Sequence, residues 1–365
     1  MKFESKHFEC PSCGAFQTFS PANGKLSCGF CNTQTEIPES NKSIDRLDLD
    51  EKLASISIEE SFEDKETSCD KCGASFDFKS HAFATHCPYC DVPAIIDCTQ
   101  DIKPKSLIPF IITRKDAKNR FKKWVSSRWF APNAFKKYLS DNKILKGYYL
   151  PHWLYDSDTI SYYTGERGRK YYVTVTRTVE ENGKSKQVTG KESRIDWTYV
   201  SGVVNVNFDD VVVPSSPTID RDILDDLEPW DTKQLISFDS KYISGFEAEE
   251  YSTNLQEGFD IAKDKMSHKI DRKVRQDIGG DEQRVHTVNS SYNNNRYKNT
   301  LLPIWTASFS WNNRDFNYAI NAQTGKIVGE RPYSIVKIVS FVISVGVVVA
   351  SVFYYEEIFR YFGWM

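Results

Sequence analysis

The chain has 365 residues and a mass of 42.0 kDa, enough for two or three domains with real cores. Apolar residues at 40% and charged residues at 27% exclude a largely disordered chain, and a net charge of −3 excludes a generic polyanion binder. No P-loop, H-E-x-x-H, G-x-S-x-G or Gly-rich dinucleotide fingerprint occurs, so nucleotide-driven and common hydrolytic chemistry lack their usual support.

Charge is unevenly placed. Residues 1–98 carry 9 basic and 17 acidic side chains (−8), whereas 99–145 carry 12 and 3 (+9). Eight of the nine cysteines form four C-x-x-C pairs: Cys10/Cys13, Cys28/Cys31, Cys69/Cys72 and Cys87/Cys90. The pattern C-x2-C-x14-C-x2-C occurs twice, offset by 59 residues, and the copies share Gly14/Gly73, Ala15/Ala74, Phe19/Phe78 and Ile37/Ile96. This is an internal duplication. Two knuckles supply four thiolates to one tetrahedral Zn²⁺, and the intervening 14 residues suit one β-hairpin, which makes each copy a zinc ribbon. A unit this small cannot fold on an apolar core alone, so metal binding and folding are coupled. Two Zn²⁺ per chain are expected. The N-terminus shows no signal-peptide core and is expected in a reducing cytosol, which favours zinc over redox disulfides; iron in the same thiolate shell is the other alternative. His7, His81 and His86 read as surface histidines, and Cys98 as a small buried residue.

The expected organisation is α+β and multidomain. Ribbon 1 covers 1–37, an acidic linker 38–66 and ribbon 2 67–98, followed by a β-rich α+β domain with two long helices at 99–333. In the linker, Ile44, Leu47, Leu53 and Ile56 suggest one face of a short helix. A first long helix runs from Thr113 to about Phe130, with Thr113 and Asp116 as a capping box, and Ala117, Phe121, Trp124, Val125 and Arg128 on one face. Arg114, Lys115, Lys118, Arg120, Lys122 and Lys123 crowd the remainder and are candidate lipid-binding residues. A basic helix of this kind also suits a phosphate backbone or a solvated back.

Strands are expected at Tyr148–Tyr155, Thr159–Tyr163, Tyr171–Val179 and Asp196–Phe208, with a hairpin turn at Asn182-Gly183. A second helix from Ser252 to Ile278 carries the stripe Leu255, Phe259, Ala262, Met266, Ile270, Val274 and Ile278, and Gly279-Gly280 closes it. Strands return at Leu301–Trp311 and Asp315–Ile320, and Asn321–Gly325 turns into Lys326–Val328. A second echo links Leu107–Phe110 with Leu235–Phe238, and Leu150–Trp153 with Leu302–Trp305, as two strand–helix–strand halves.

Ile338 to Tyr355 is an uncharged run of 18 residues, expected as a transmembrane helix at 334–356 with a short tail at 357–365. Lys326, Arg331 and Lys337 precede it and only Arg360 follows, beside Glu356 and Glu357. The positive-inside bias then keeps the N-terminal domains cytoplasmic in a single-pass, tail-anchored protein.

Twin ribbons, a Pro-Phe-helix-Trp segment, Tyr148-Tyr149-Leu150-Pro151-His152-Trp153, and Asn321-x-x-Thr324-Gly325-Lys326 before the anchor resemble one known group. They look like the bacterial membrane-attached proteins often called TFIIB-type zinc ribbon proteins, some encoded beside phage-shock-protein-A-like and flotillin-like (SPFH) proteins. The resemblance implies a non-enzymatic scaffold in envelope stress, with those proteins as candidate partners, and brings no catalytic residues. A membrane-tethered nucleic-acid-binding ribbon protein is the alternative, but ribbons in a −8 segment would repel a phosphate backbone. His152, His268 and His286 are scattered and form no acid–base or nucleophile pattern.

Overall fold

The computed structural model describes residues 2–4, 6–38, 43–55, 65–69, 71–78, 82–96, 103–132, 145–181, 184–311, 314–330 and 333–361. Strand β1 (Lys2–Glu4) opens the chain, and the first ribbon follows with β2 (Gln17–Ser20), β3 (Lys25–Cys28) and β4 (Gln34–Thr35). The β2–β3 hairpin sets Gln17 opposite Cys28 and Phe19 opposite Leu26, with all four buried. This is the hairpin that the spacing between knuckles predicts.

The acidic segment is more ordered than its composition suggests. Strand β5 (Leu47–Asp48) leads into α1 (Leu49–Ser55). Leu47 pairs in a sheet with Tyr297, so it does not share a helical face with Leu53 as expected. The buried anchor is instead Leu49, because a free sheet edge offers hydrogen bonds that override the weak helical period. Ile56 lies outside the described residues.

The second ribbon comprises β6 (Lys65–Ser68), β7 (Ser75–Phe78), β8 (Ala82–His86) and β9 (Pro93–Ile95). Unlike the first, it is shared between two sheets. β6 lies between β1, parallel to it, and β7, whereas β8 and β9 form the end of a large mixed sheet. His81 and Cys98 lie outside the described residues.

That sheet has 11 strands. Its elements are β10 (Ser106–Leu107), α2 (Arg114–Ser126), β11 (Lys146–Glu181), β12 (Lys184–Pro214), α3 (Arg221–Asp225), β13 (Ile236–Ser237), β14 (Glu247–Glu249), α4 (Leu255–Ile278), β15 (Glu282–Trp311), β16 (Arg314–Asn321) and β17 (Ile327–Gly329). β11 is one 36-residue strand, not the three segments expected. The pattern breaks at Asp156–Asp158 because register shifts against both neighbours fall there, and a bulge re-aims side chains without ending a strand. Glu181 pairs with Lys184, while the Asn182-Gly183 turn itself lies outside the described residues. Beyond Gly168 the β15 pairing stops, and residues 169–181 and 184–196 project as a two-stranded arm.

Only one part of the echo between the two halves has a structural counterpart. Leu107 pairs with Ile236 in β10–β13, and Leu150 with Leu302 in β11–β15, both antiparallel. β10 runs parallel to β15, and β14 parallel to β11. Leu150 and Leu302 thus face each other in the central pair, flanked by β10 beside β15 and β14 beside β11, whereas β13 lies outside β10, so Leu235–Phe238 does not occupy the place equivalent to Leu107–Phe110. Along β11, Tyr149, Trp153 and Tyr155 point to the helices, and Leu150 and Leu154 point to the α3 side. Helix α4 buries the whole expected stripe plus Gly258, and starts at Leu255 because Asn254 caps it. Helix α2 starts after its Thr113 cap and stops at Ser126, short of Phe130; Ala117, Phe121 and Val125 are buried. The final helix, α5 (Ile335–Tyr361), is one residue short of the expected start and five beyond the expected end.

Candidate metal centres

Each C-x-x-C knuckle is shaped by backbone hydrogen bonds before any metal is considered. Cys10 N–H donates to the Ala15 carbonyl and Gly14 N–H to the Cys10 carbonyl; Cys69–Ala74 and Gly73–Cys69 repeat the pattern. The second knuckles do likewise through Thr33 and Asn32, and through Val92 and Asp91. The residue after the second cysteine must be left-handed, with φ of 72° at Gly14, 71° at Gly73, 60° at Asn32 and 57° at Asp91. Glycine, Asn and Asp are the residues that adopt this conformation at least cost.

These turns bring the thiols of Cys10, Cys13, Cys28 and Cys31 within 4.8 Å of one another, and those of Cys69, Cys72, Cys87 and Cys90 likewise. The Sγ–Sγ distances are 3.5 Å for Cys10–Cys31, 3.6 Å for Cys13–Cys28, 3.6 Å for Cys69–Cys90 and 3.9 Å for Cys72–Cys87. A disulfide needs about 2.05 Å. A tetrahedron with Zn–S bonds of about 2.3 Å has edges of about 3.8 Å, so both thiol sets fit one such ion each. Four ligands complete each shell, and among the described residues no histidine enters either cluster. His7 instead sits edge-on to Phe16, and burial pushes His86 below the usual histidine range.

Packing four thiols together splits their acidities. Hydrogen bonds from the Thr33 hydroxyl and backbone hold Cys31 down to about 6. The Ala15 N–H pulls Cys13 down, but Cys31 and the other neighbouring thiols lift it to about 12. Such a set holds its negative charge only when a cation is shared among the sulfurs. Thr33, whose Oγ1 lies 3.1 Å from Cys31 Sγ, was not evident from the cysteine spacing; a hydroxyl two residues after a knuckle cysteine is its only sequence signal.

Asp156, Asp209 and Asp210 also converge, at the bulge that β11 shares with its neighbours. Arg46 bridges Asp156 at 3.1 Å and Asp209 at 2.7 Å, and Lys298 bridges Asp210. Two cations already occupy that centre, so it reads as a structural ion cluster tying the acidic segment to the sheet.

The six cations of α2, Arg114, Lys115, Lys118, Arg120, Lys122 and Lys123, are all exposed, and among the described residues none is in an ion pair. Two have structural duties: Arg114 donates to the Leu145 carbonyl, and Arg120 lies over Gly325 of the Asn321–Gly325 turn. Phe121 and Trp124 turn inward onto Tyr318. Of the three scattered histidines, His152 is buried with Nδ1 on the Leu150 carbonyl, while His268 and His286 are exposed.

The span Ile335–Tyr355 of α5 is the one candidate among the described residues long and apolar enough to cross a membrane, and none of it is buried in the protein. The chain is 28% identical over 341 residues to "Uncharacterized protein YdjG" of Bacillus subtilis (strain 168), covering 90% of each chain. No protein-family model matches the chain. No solved structure does either.

Proposed function

We propose that the protein is a non-enzymatic, membrane-anchored zinc-ribbon adaptor that organises protein partners at the cytoplasmic face of a membrane in envelope stress. The observation that carries this reading is the pairing of two complete four-thiol sets with one unburied apolar helix in a single chain. Zinc is the ion that suits a closed four-thiolate shell with a structural task. Lys326, Arg331 and Lys337 ahead of α5, against Arg360 beside two glutamates, support a cytoplasmic body. By resemblance, phage-shock-protein-A-like or flotillin-like proteins are the candidate partners. The ribbons offer exposed Phe30 and Tyr89 at their knuckles, a protein-binding chemistry better suited than phosphate contact to so acidic a segment.

The test is affinity purification from detergent-solubilised membranes. Recovery of such a partner with the wild type, and its loss with Phe30→Ser and Tyr89→Ser together, supports the adaptor. Nuclease-sensitive nucleic acid as the principal co-purifying species sinks it.

A further inference from the structure

Five residues beyond α2 are fastened to the first turns of α5. The Ser334 N–H donates to the Phe130 carbonyl at 2.8 Å. Lys337 Nζ donates to the carbonyls of Trp129 at 3.2 Å and Ala131 at 2.8 Å. The Phe130 ring meets Phe341 edge-on with centroids 5.6 Å apart. Trp129 itself is 73% exposed.

From these contacts we infer that the Ser127–Ala131 loop is a second membrane contact, lying in the interfacial zone of the leaflet that α5 enters, with the Trp129 indole among the lipids. The inference rests on the reading of α5 as a membrane-spanning helix. Depth carries the argument. Phe341 lies six residues, about 9 Å, beyond the start of α5, and the interfacial zone of one leaflet is only about 5–8 Å thick. The loop backbone is held at Ser334 and Lys337, at the start of the span, and the Phe130 ring reaches on to Phe341, past the last cation, Lys337. A loop held there cannot remain in bulk water once the helix is inserted.

The chemistry of the loop agrees with that level. Lys337 is the one charged residue inside the candidate span, and the loop supplies carbonyl oxygens that satisfy its ammonium where water is scarce. Tryptophan and phenylalanine are the side chains that settle at the headgroup boundary. The exposed cations Lys118, Lys122 and Lys123 lie along α2, the last of them in its final turn, and the exposed indole lies just past its C-terminus, next to α5. A bilayer that receives α5 therefore meets the aromatic loop first and the α2 cations at headgroup height. A soluble protein partner would have to compete with lipid for a surface already continuous with an unburied apolar helix.

The test uses the full chain in vesicles of phosphatidylcholine and phosphatidylglycerol. The photoreactive p-benzoylphenylalanine replaces Trp129 in one protein, Val345 in a second and Tyr199 in a third; all three positions are exposed. Lipid adducts at 129 and 345 but not at 199, read by mass spectrometry, are expected. Adducts at 345 with none at 129 overturn the loop contact while leaving the anchor intact. Equal adducts at 129 and 199 overturn it too, since the whole body would then lie on the lipid. Absence of adducts at both 345 and 129 overturns the membrane reading of α5, and this inference with it. Lys337→Leu should abolish the adduct at 129 and preserve that at 345; an undiminished 129 adduct overturns the role of the lysine clamp.

Discussion

Gly73 has room for a side chain, with nothing within 4 Å of a built Cβ, yet its φ is +71°. Gly73→Ala therefore tests backbone strain alone, and should weaken metal binding at the second site by about 1–2 kcal/mol. Gly73→Asn should cost less, because Asn32 and Asp91 already occupy the same conformation. Chelator competition reads both, and equal losses would show that the knuckle does not depend on left-handed backbone. His152 gives a second residue-scale expectation. Its ring is fully buried, and burial lowers its pKa to about 4 from an ordinary 6.5. The unfolded chain then takes up a proton that the folded chain refuses. Stability is full above pH 6.5 and falls progressively toward pH 4, by up to ~3 kcal/mol. His152→Gln in detergent-solubilised protein should flatten the fall in thermal midpoint between pH 6.5 and 4.5. An unchanged slope would place the acid sensitivity elsewhere.

At the scale of elements, α4 tests packing against propensity. Gly→Ala inside a helix normally gains about 1 kcal/mol. At Gly258 a Cβ would collide with the Tyr155 hydroxyl and come within 2.9 Å of Trp153 Cδ1. Tyr155 is held by its bond to the Leu255 carbonyl, and Trp153 by its bond to the Thr253 carbonyl, so neither yields freely. Gly258→Ala should therefore destabilise by about 1–3 kcal/mol, the cost of overpacking, where propensity alone predicts the opposite sign. A raised thermal midpoint would refute this. The same contrast marks what sequence could reveal. The α4 stripe, the α2 cap and the cysteine knuckles are local, set by periods and spacings within one segment. The β15 pairing of β11 from Lys146 to Gly168, the strand at Leu47 and the clamp from Lys337 to Trp129 depend on partners more than a hundred residues away. The echo of Leu150-Pro151 in Leu302-Pro303 was legible as a repeat, but only the pairing of Leu150 with Leu302 shows that the repeats face each other.

At the scale of the whole molecule, the two candidate metal centres are not equivalent. Both ribbons contribute to one apolar cluster with α2 and the sheet. The first enters it through Phe19, Leu26 and Ile37 but with none of its cysteines: Phe19 packs on Tyr242 and Phe246, and hydrogen bonds join Phe19 and Gln17 to Ser244. The second is built into it. Cys69 and Cys87 are themselves core residues, Ala84 of β8 pairs with Ala248 of β14, and Ala248 pairs with Tyr149 of β11. A metal lost from the second site therefore loosens strands that support the sheet, whereas one lost from the first frees a docked unit. Folding energy near ten kcal/mol is typical of a structural zinc site, enough to decide the fate of a segment this small. Cys13→Ser and Cys87→Ser should each lower bound metal from two ions to one by elemental analysis. Amide exchange should separate them: Cys13→Ser exposes residues 6–38 and spares β14, whereas Cys87→Ser also deprotects β14 and the amides around Tyr149. If Cys13→Ser deprotects β14 as strongly, the first ribbon is as deeply coupled as the second. If Cys87→Ser leaves β14 protected, the sheet stands without its metal and the second ribbon is an attachment like the first.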